Sequence, residues 1–221
     1  HGSERRGEAL DRLGLTLLGF PHAVWTTEPM TTPRIAARQA ATRAEILEAA
    51  WRLAREHGIA GFSLRDLARE VGMQAPSLYA HFDGKDAIYD AMYEQGNREF
   101  LAAVKAIDTN DLRSALLAAA HAFLDFCTAD EARFQLMFQR SIPGWEPSPE
   151  AYAPAVEALE LNRAAFAKHG LDEDWHLDLW TAVTSGLAHQ QVANDPGGDR
   201  WASLVEPAVD MYLAHVRGDA N

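Results

Sequence analysis

A short stretch between residues 74 and 81 holds the side chains best suited to chemistry. Hydrogen-bonding groups come from four of its residues: Gln74, Ser77, Tyr79 and His81. Small apolar groups come from three others: Ala75, Pro76 and Ala80. Amide, hydroxyl and imidazole groups can bond to the edges of bases, and small apolar side chains fit the methyl group of thymine. The chemistry predicted for this stretch is therefore non-covalent recognition of a DNA surface.

The elements around this stretch predict how it is held. Leu78 and Phe82 are four residues apart, so both point inward if residues 75–82 form a short helix. A tight turn and a helix that begins with a capping box precede it, and a longer helix comes first. The residues that bound these elements are Thr42, Gly58, Ser63 with Asp66, and Gly72. A helix, a tight turn and a short helix form a helix-turn-helix, whose second helix can enter a major groove.

Groups that could bind phosphates surround the short helix. They are Ser63, Arg65, Arg69 and Lys85. Phosphate contacts position a protein on DNA without reading its sequence. Lys85 stands at the predicted start of the next helix, where a positive charge is unfavourable for the helix dipole. A phosphate partner would explain that placement.

The charge of the chain is −12, which at first argues against a DNA partner. Its distribution matters more than its total. Residues 31–82 carry a net charge of +2, whereas residues 106–221 carry −11. A weakly basic region on an acidic body can bind phosphates with one face while the body keeps the protein in solution.

The whole sequence predicts an all-α fold, because apolar residues recur at helical spacing from residue 42 onward and no convincing strand alternation occurs. We predict an N-terminal extension over residues 1–40, a helix-turn-helix DNA-binding domain over 41–87, and a helical effector-binding and dimerisation domain over 88–221. In the extension, the sequence His1-Gly2-Ser3 resembles a tag remnant, and Met30 would suit a natural start.

The N-terminal region also carries a nearly gapless pattern over about 45 residues. Its members are Thr42, Arg43, Ile46, Leu47, Ala49, Ala50, Gly58, Phe62, Ser63, Leu64, Leu67, Ala68, Val71, Gly72, Ser77, Leu78, Tyr79, His81, Phe82 and Lys85. This pattern resembles the TetR family of bacterial regulators. The resemblance implies that residues 42–87 are a three-helix DNA-binding head, completed by the start of a fourth helix.

The resemblance also implies roles for single residues. Tyr79 and Lys85 would contact the operator backbone, and Ser77 and His81 would lie at the DNA. Thr42 and Ser63 would cap helices or touch phosphate. Gln74 stands where many members carry Ser or Thr as the cap of the recognition helix, so we expect a weaker cap and a different base readout.

The two helices predicted at the end of the chain, over residues 173–192 and 199–216, resemble the family's usual arrangement. In that arrangement two helices from each subunit form a four-helix interface. A wide apolar arc left exposed would promote aggregation, so we expect a homodimer. The predicted interface residues are Trp175, Leu179, Ala182, Gly186, Trp201, Val205, Ala208 and Tyr212.

Aromatic residues are dense between residues 123 and 180, beyond what one packed face of each helix needs. Part of them is predicted to line a pocket for a small lipophilic or aromatic effector. The predicted pocket residues are His121, Phe126, Phe134, Met137, Phe138, Trp145, Trp180 and His189. The alternative is a solid body in a regulator that a partner protein controls.

Other classes of function have little support. Ser185 lacks the strand-turn-helix context of a catalytic serine, and Cys127 lies on an apolar helix face where thiols are inert. The nine histidines are not spaced for zinc. We therefore expect no enzyme activity, no metal and no cofactor. The apolar stretches are too short to span a membrane, and a single cysteine fits a cytoplasmic location.

These observations predict a dimeric repressor that binds a palindromic operator in double-stranded DNA and responds to a ligand. Besides a regulator controlled by a partner protein, a second alternative is a helical enzyme or carrier whose DNA-binding head has lost its function. The intact Tyr79, His81 and Lys85 argue against that rival.

Overall fold

The computed structural model describes residues 33–107 and 110–218, and within them every regular element is a helix. This confirms the predicted all-α fold. The helices are α1 (Pro33–His57), α2 (Leu64–Glu70), α3 (Ala75–Leu78), α4 (Lys85–Lys105), α5 (Leu112–Ala129), α6 (Glu131–Phe138), α7 (Pro149–Ala167), α8 (Asp174–Asn194) and α9 (Val205–Val216), with a 3₁₀ turn at Ala202–Leu204 before α9. None of these helices is both long enough and apolar enough to cross a bilayer.

The first helix starts earlier than predicted, at Pro33 instead of near Thr42. Proline suits the first turn of a helix, and the alanines that follow it are strong helix formers. Thr42 therefore lies inside α1 and does not cap it, which corrects one of its two predicted roles. The tag remnant and Met30 lie outside the described residues.

The chain divides into two compact units, His1–Ala37 and Arg38–Asn221. Of the first unit, only Pro33–Ala37 is described, as the beginning of α1. In the second unit, one hydrophobic core is shared by the first four helices, α1, α2, α3 and α4. It is built around the fully buried Ile46, Leu67 and Ile88. This core also takes in Leu136 and Met137 of α6, so the packing of the N-terminal helices continues past residue 87.

The second core lies within the body, between α5, α8 and α9, with Leu116, Leu124 and Tyr212 at its centre. Side chains fix where several of these helices begin. The carboxylate of Asp130 accepts a hydrogen bond from the backbone N–H of Arg133 at the start of α6, and Ser148 does the same for Ala151 of α7.

The junction between α8 and α9 is held by one buried amide. Gln191 is 2% exposed, and its Oε1 accepts hydrogen bonds from the backbone N–H groups of Trp201 at 2.9 Å and Ala202 at 3.0 Å. Its Nε2 donates to the Gly198 carbonyl at 3.1 Å. The predicted helix from Asp199 therefore begins later, because the chain first folds around Gln191 and forms the 3₁₀ turn.

Candidate DNA-binding surface and ligand cavity

The first helix of the predicted helix-turn-helix, α2, begins with a capping box. The Ser63 hydroxyl accepts a hydrogen bond from the Asp66 N–H at 3.2 Å, and the Asp66 carboxylate accepts one from the Ser63 N–H at 3.1 Å. Hydrogen bonds from the Ser63 hydroxyl and backbone lower the pKa of Asp66. The predicted capping role of Ser63 is confirmed. Its hydroxyl also donates to Asp66, so a phosphate would have to compete for that proton.

The third helix has two contrasting sides. Leu78 is 1% exposed, and Phe82 just beyond the helix is buried as well. Gln74, Ser77 and Tyr79 lie on the outer side in solvent, as does Pro76, while Ala75 and His81 are half-buried. The helix is shorter than the predicted 75–82, because hydrogen bonds between residues three apart replace the α-helical pattern near Leu78. The Ala80 N–H donates to the Ser77 carbonyl, and the His81 N–H donates to the Leu78 carbonyl.

Gln74 occupies the N-cap position of α3, and its side chain makes no capping hydrogen bond. This agrees with the expected weaker cap. An uncapped amide at this position remains available to a partner outside the chain.

Arg43 has a positioning role that the sequence did not indicate. Its guanidinium donates a hydrogen bond to the carbonyl oxygen of His81 and lies 4.0 Å from the centre of the Phe82 ring. The turn after α3 is thereby tied to α1. The sequence analysis included Arg43 in the pattern that resembles the TetR family, but that pattern did not predict this contact.

The side chain of Lys85 does not extend freely into solvent, as expected for a residue that only binds phosphate, but contacts other residues of the chain. Its ammonium donates to the Ala60 carbonyl at 3.1 Å and lies 4.7 Å from the Phe62 ring and 5.1 Å from the Tyr89 ring. Burial lowers the pKa of Lys85. An ammonium has three N–H donors, so this contact leaves others for a phosphate. Arg65, on α2, is exposed and forms no ion pair among the described residues.

A cavity of about 310 Å³ lies in the body between α4, α5, α7 and α8, with Phe138 from α6. Two of the predicted pocket residues, Phe138 and Trp180, line it. The other lining residues are Asn97, Phe100, Val104, Ile107, Ala119, Ala122, Phe123, Tyr152, Ala155, Ala158, Leu159, Asn162, Leu177, Thr181, Thr184 and Ser185. The buried polar residues Asn97 and Thr184 were missed, because polar residues in helices are usually solvated.

The six other predicted pocket residues do not line this cavity. Phe134 and Met137 are buried in the cores, because α6 turns these positions away from it. Trp145 packs against Tyr89 and Tyr93 at ring distances of 5.7 and 5.8 Å.

The remaining three lie nearer the surface. Phe126 is covered by the Arg133 guanidinium at 3.9 Å, and His121 is exposed. His189 is exposed too, with its ring 4.9 Å from that of Phe134. Phe126 and His189 lie one helical turn beyond the cavity-lining Ala122 and Ser185, whereas His121 lies on the exposed side of α5.

An open apolar groove runs along the outer face of α8 and α9. It is lined by Ala182, Val183, Gly186, Leu187, Gln190, Trp201, Leu204, Pro207, Ala208 and Met211. Four of the residues predicted for the dimer interface are among them: Ala182, Gly186, Trp201 and Ala208.

Two predicted interface residues are placed differently. Val205 and Tyr212 are each 1% exposed, and the Tyr212 hydroxyl donates to the His176 carbonyl at 3.0 Å. They belong to the core of the chain itself, so the outer row consists of Leu204 at the end of the 3₁₀ turn and of Pro207, Ala208 and Met211 on α9. Trp175 is 43% exposed and packs on the ring of His176, and Leu179 is half-buried; neither lines the groove.

Residues 46–92, which contain α2, α3 and the start of α4, match the sequence model of a family described as bacterial regulatory proteins, tetR family. This N-terminal region belongs to the TetR family. The match confirms the resemblance read from the sequence, and the family is one of regulators and not of enzymes.

Curated relatives of this chain are transcriptional regulators. YobS of Bacillus subtilis, an uncharacterized regulator, is 30% identical over 95 residues, which cover 42% of this chain and 50% of YobS. The activator FasR of Mycolicibacterium smegmatis is 29% identical over 53% of each chain. The repressor Rv1353c of Mycobacterium tuberculosis is 22% identical over 79% of this chain and 69% of its own. The chain spans about half the length of YobS and FasR.

Solved structures share the fold over most of the chain. The putative regulatory protein SCO4313 superposes with a TM-score of 0.68 at 24% identity, covering 83% of this chain and 100% of its own. FadR from Bacillus subtilis, solved in complex with stearoyl-CoA, superposes with a TM-score of 0.57 at 14% identity, over 77% of this chain and 97% of FadR. These identities establish the helical architecture and no more.

Proposed function

We propose that this protein is a transcriptional regulator that binds double-stranded operator DNA with α3. The observation that carries the proposal is the two-sided character of this helix. Leu78 anchors it in the core, whereas Ser77 and Tyr79 project into solvent, with Tyr79 58% exposed. An exposed large aromatic side chain beside hydrogen-bonding groups is suited to a groove that admits one helix. Arg43 and Lys85 hold the flanking turns, so this surface is presented in a defined geometry.

We propose further that the regulator is a homodimer that pairs through the groove on α8 and α9. Leu204 and Met211 of this groove are 40% and 60% exposed, so pairing would remove a continuous apolar surface from water. A two-fold interface presents two copies of α3 to the DNA, which requires a palindromic operator. Such a protein acts in the cytoplasm, where its DNA is.

A small molecule in the body cavity is the proposed signal. Phe138 lines the cavity and ends α6, while Asp130 caps the start of the same helix and pairs with Arg55 of α1. A ligand that moves α6 would therefore act on α1 through one short element. The ligand shifts the regulator toward release of DNA only if it binds the DNA-free state more tightly than the DNA-bound state. We favour repression relieved by ligand, although named relatives include an activator and a repressor. The cavity supports this mode over control by a partner protein.

The test is binding to the DNA immediately upstream of the protein's own gene, searched for a palindrome and measured by gel shift. We expect binding to the palindrome in preference to a scrambled duplex. Tyr79→Ala should weaken it by about 1–3 kcal/mol. Val156→Ala, which shortens another exposed apolar side chain, on α7, should leave the affinity unchanged. Equal binding of both variants to both duplexes would overturn the assignment of α3.

A further inference from the structure

We propose that the body cavity selects an uncharged, largely apolar molecule that carries a hydroxyl or N–H group. This inference rests on the proposed function for the role of the cavity, and it narrows the class of ligand.

The cavity wall offers no partner for a charge. Within the part of the chain that the structure describes, its lining includes no Asp, Glu, Lys, Arg or His. A carboxylate, phosphate or ammonium that enters loses its water without gaining an ion pair, and desolvation of an unpaired charge is strongly unfavourable. Ligands that are ionised at neutral pH are therefore disfavoured.

The aromatic rings do not form an open cage for a cation. Phe123 meets Phe100 and Phe138 edge to face, at ring distances of 5.9 and 5.3 Å. Phe100 and Phe138 are themselves 6.1 Å apart at 82°. A cation binds to the face of a ring, and in this cluster edges of neighbouring rings occupy faces. The cluster instead provides an apolar wall.

The two buried polar side chains present acceptors. Asn97 is 4% exposed, and its Nδ2 donates to the Tyr93 carbonyl at 2.9 Å. Thr184 is 7% exposed, and its hydroxyl donates to the Trp180 carbonyl at 3.0 Å. One N–H of Asn97 and the hydroxyl proton of Thr184 are used inside their own helices, and the Asn97 carbonyl oxygen and the Thr184 lone pairs remain as acceptors. A ligand satisfies them by donating a hydrogen bond.

The volume sets a limit on size. A cavity of about 310 Å³ lies at the lower end of the range of roughly 300–1,000 Å³ that holds drug-sized ligands. FadR of Bacillus subtilis was solved with stearoyl-CoA, which is both large and multiply charged. The cavity of the present protein is small and has no charged residue in its lining, so it suits neither the size nor the charge of such a ligand. The shared fold therefore does not imply a shared ligand.

The first test uses two fluorescent probes with one scaffold, titrated into the full chain without DNA. N-phenylnaphthylamine is uncharged and carries an N–H group, whereas anilinonaphthalenesulfonate adds a negative charge. We expect one equivalent of the uncharged probe to bind per chain, at least about tenfold more tightly than the sulfonate. Equal or tighter binding of the sulfonate would overturn the proposal.

The second test displaces N-phenylnaphthylamine with four ten-carbon compounds. Decanol should compete, while decanoate and decyltrimethylammonium should compete at least about tenfold less well. Decyl methyl ether, which cannot donate a hydrogen bond, should be weaker than decanol by about 3–10-fold, the scale of one hydrogen bond. Thr184→Val, which keeps the shape and removes the hydroxyl, should reduce this difference. An unchanged difference in both Thr184→Val and Asn97→Leu would refute the acceptor role.

Whether N-phenylnaphthylamine binds in the cavity is tested by filling the cavity with a larger side chain. Ala122→Trp should abolish binding of N-phenylnaphthylamine, whereas Val156→Trp, outside the lining, should not. Thermal unfolding establishes that each variant folds, and Ala119→Phe replaces Ala122→Trp if it does not. Probe binding that survives filling would place the site elsewhere and overturn the proposal. Because DNA is absent, failure of operator binding is distinguished from failure of ligand selection.

Discussion

Arg55 and Asp130 join α1 to the start of α6. The Arg55 guanidinium donates two hydrogen bonds to one carboxylate oxygen of Asp130, from Nη2 at 2.7 Å and from Nε at 2.9 Å. The Asp130 side chain is only 8% exposed, although that of Arg55 is 50% exposed. The same carboxylate caps α6, so one residue fixes both the start of this helix and its attachment to α1.

We predict a larger coupling energy for this pair than for a comparable one nearby. Arg52 lies one turn earlier on α1, is equally exposed, and pairs with Glu70 at 3.2 Å, but Glu70 is 41% exposed. A double-mutant cycle on chemical unfolding with Arg55→Met and Asp130→Ser should give about 1–2 kcal/mol, since serine preserves the cap while removing the charge. The Arg52→Met and Glu70→Ser cycle should give about 0–1 kcal/mol. Equal couplings would contradict the special role of Arg55 and Asp130.

A second prediction concerns Lys85 and salt. Lys85→Met keeps the apolar stem that packs against Phe62 and Tyr89 but removes the ammonium. Operator affinity should fall for all sequences alike, and the slope of log affinity against log salt should lose about one unit, because one phosphate contact is lost. Arg98→Met is the control, since Arg98 pairs with Glu94 along α4. An unchanged salt slope would show that Lys85 serves only to hold the Ala60 carbonyl.

The N-terminal helices were predictable because local signals specify them. Gly58, with φ of +81°, follows the end of α1, and Ser63 and Asp66 form the capping box that begins α2. These signals act within a few residues of chain, so one sequence is enough to read them. The early start of α1 at Pro33 was missed because its alanine-rich first turns bury nothing that creates a periodic pattern.

The body was harder to predict because contacts between distant helices decide it. Apolar residues occupy both sides of α9, so spacing alone did not separate the inner pair, Val205 and Tyr212, from the outer pair, Ala208 and Met211. Asn97 presented a similar ambiguity, since its burial depends on packing of α4 against α7. The cavity lining is therefore a property of the assembled body, and only Phe138 and Trp180 of the predicted set reached it.

A third prediction concerns the proposed dimer. A Cβ built on Gly186 has no atom within 4 Å, so a large side chain at this position projects into the groove without disturbing the chain itself. Gly186→Trp should fold normally and yield monomers by light scattering at micromolar concentration. Gly186→Ala should still dimerise and gain about 0.5–1 kcal/mol, because alanine favours helix over glycine. Val156→Trp is the control on another exposed surface. A monomeric wild type would refute the interface.

The last prediction is the response of Cys127 to alkaline pH. Burial raises the pKa of its thiol from 9.0 to about 12. The folded state therefore holds a proton that the unfolded state releases above pH 9, so the stabilisation is complete below pH 9 and is lost as pH rises toward 12. Tyr89, Tyr93 and Tyr212, with pKa values raised from 10.0 to about 12, add the same trend from pH 10 upward. The free energy of unfolding should thus decline more steeply between pH 9 and 10 in the wild type than in Cys127→Ala, where only the tyrosines contribute. Reaction of the thiol with a disulfide reagent at pH 8 should be slow until the chain unfolds. Rapid labelling of the native protein, or an equal decline in the alanine variant, would show that the thiol is not held protonated by burial.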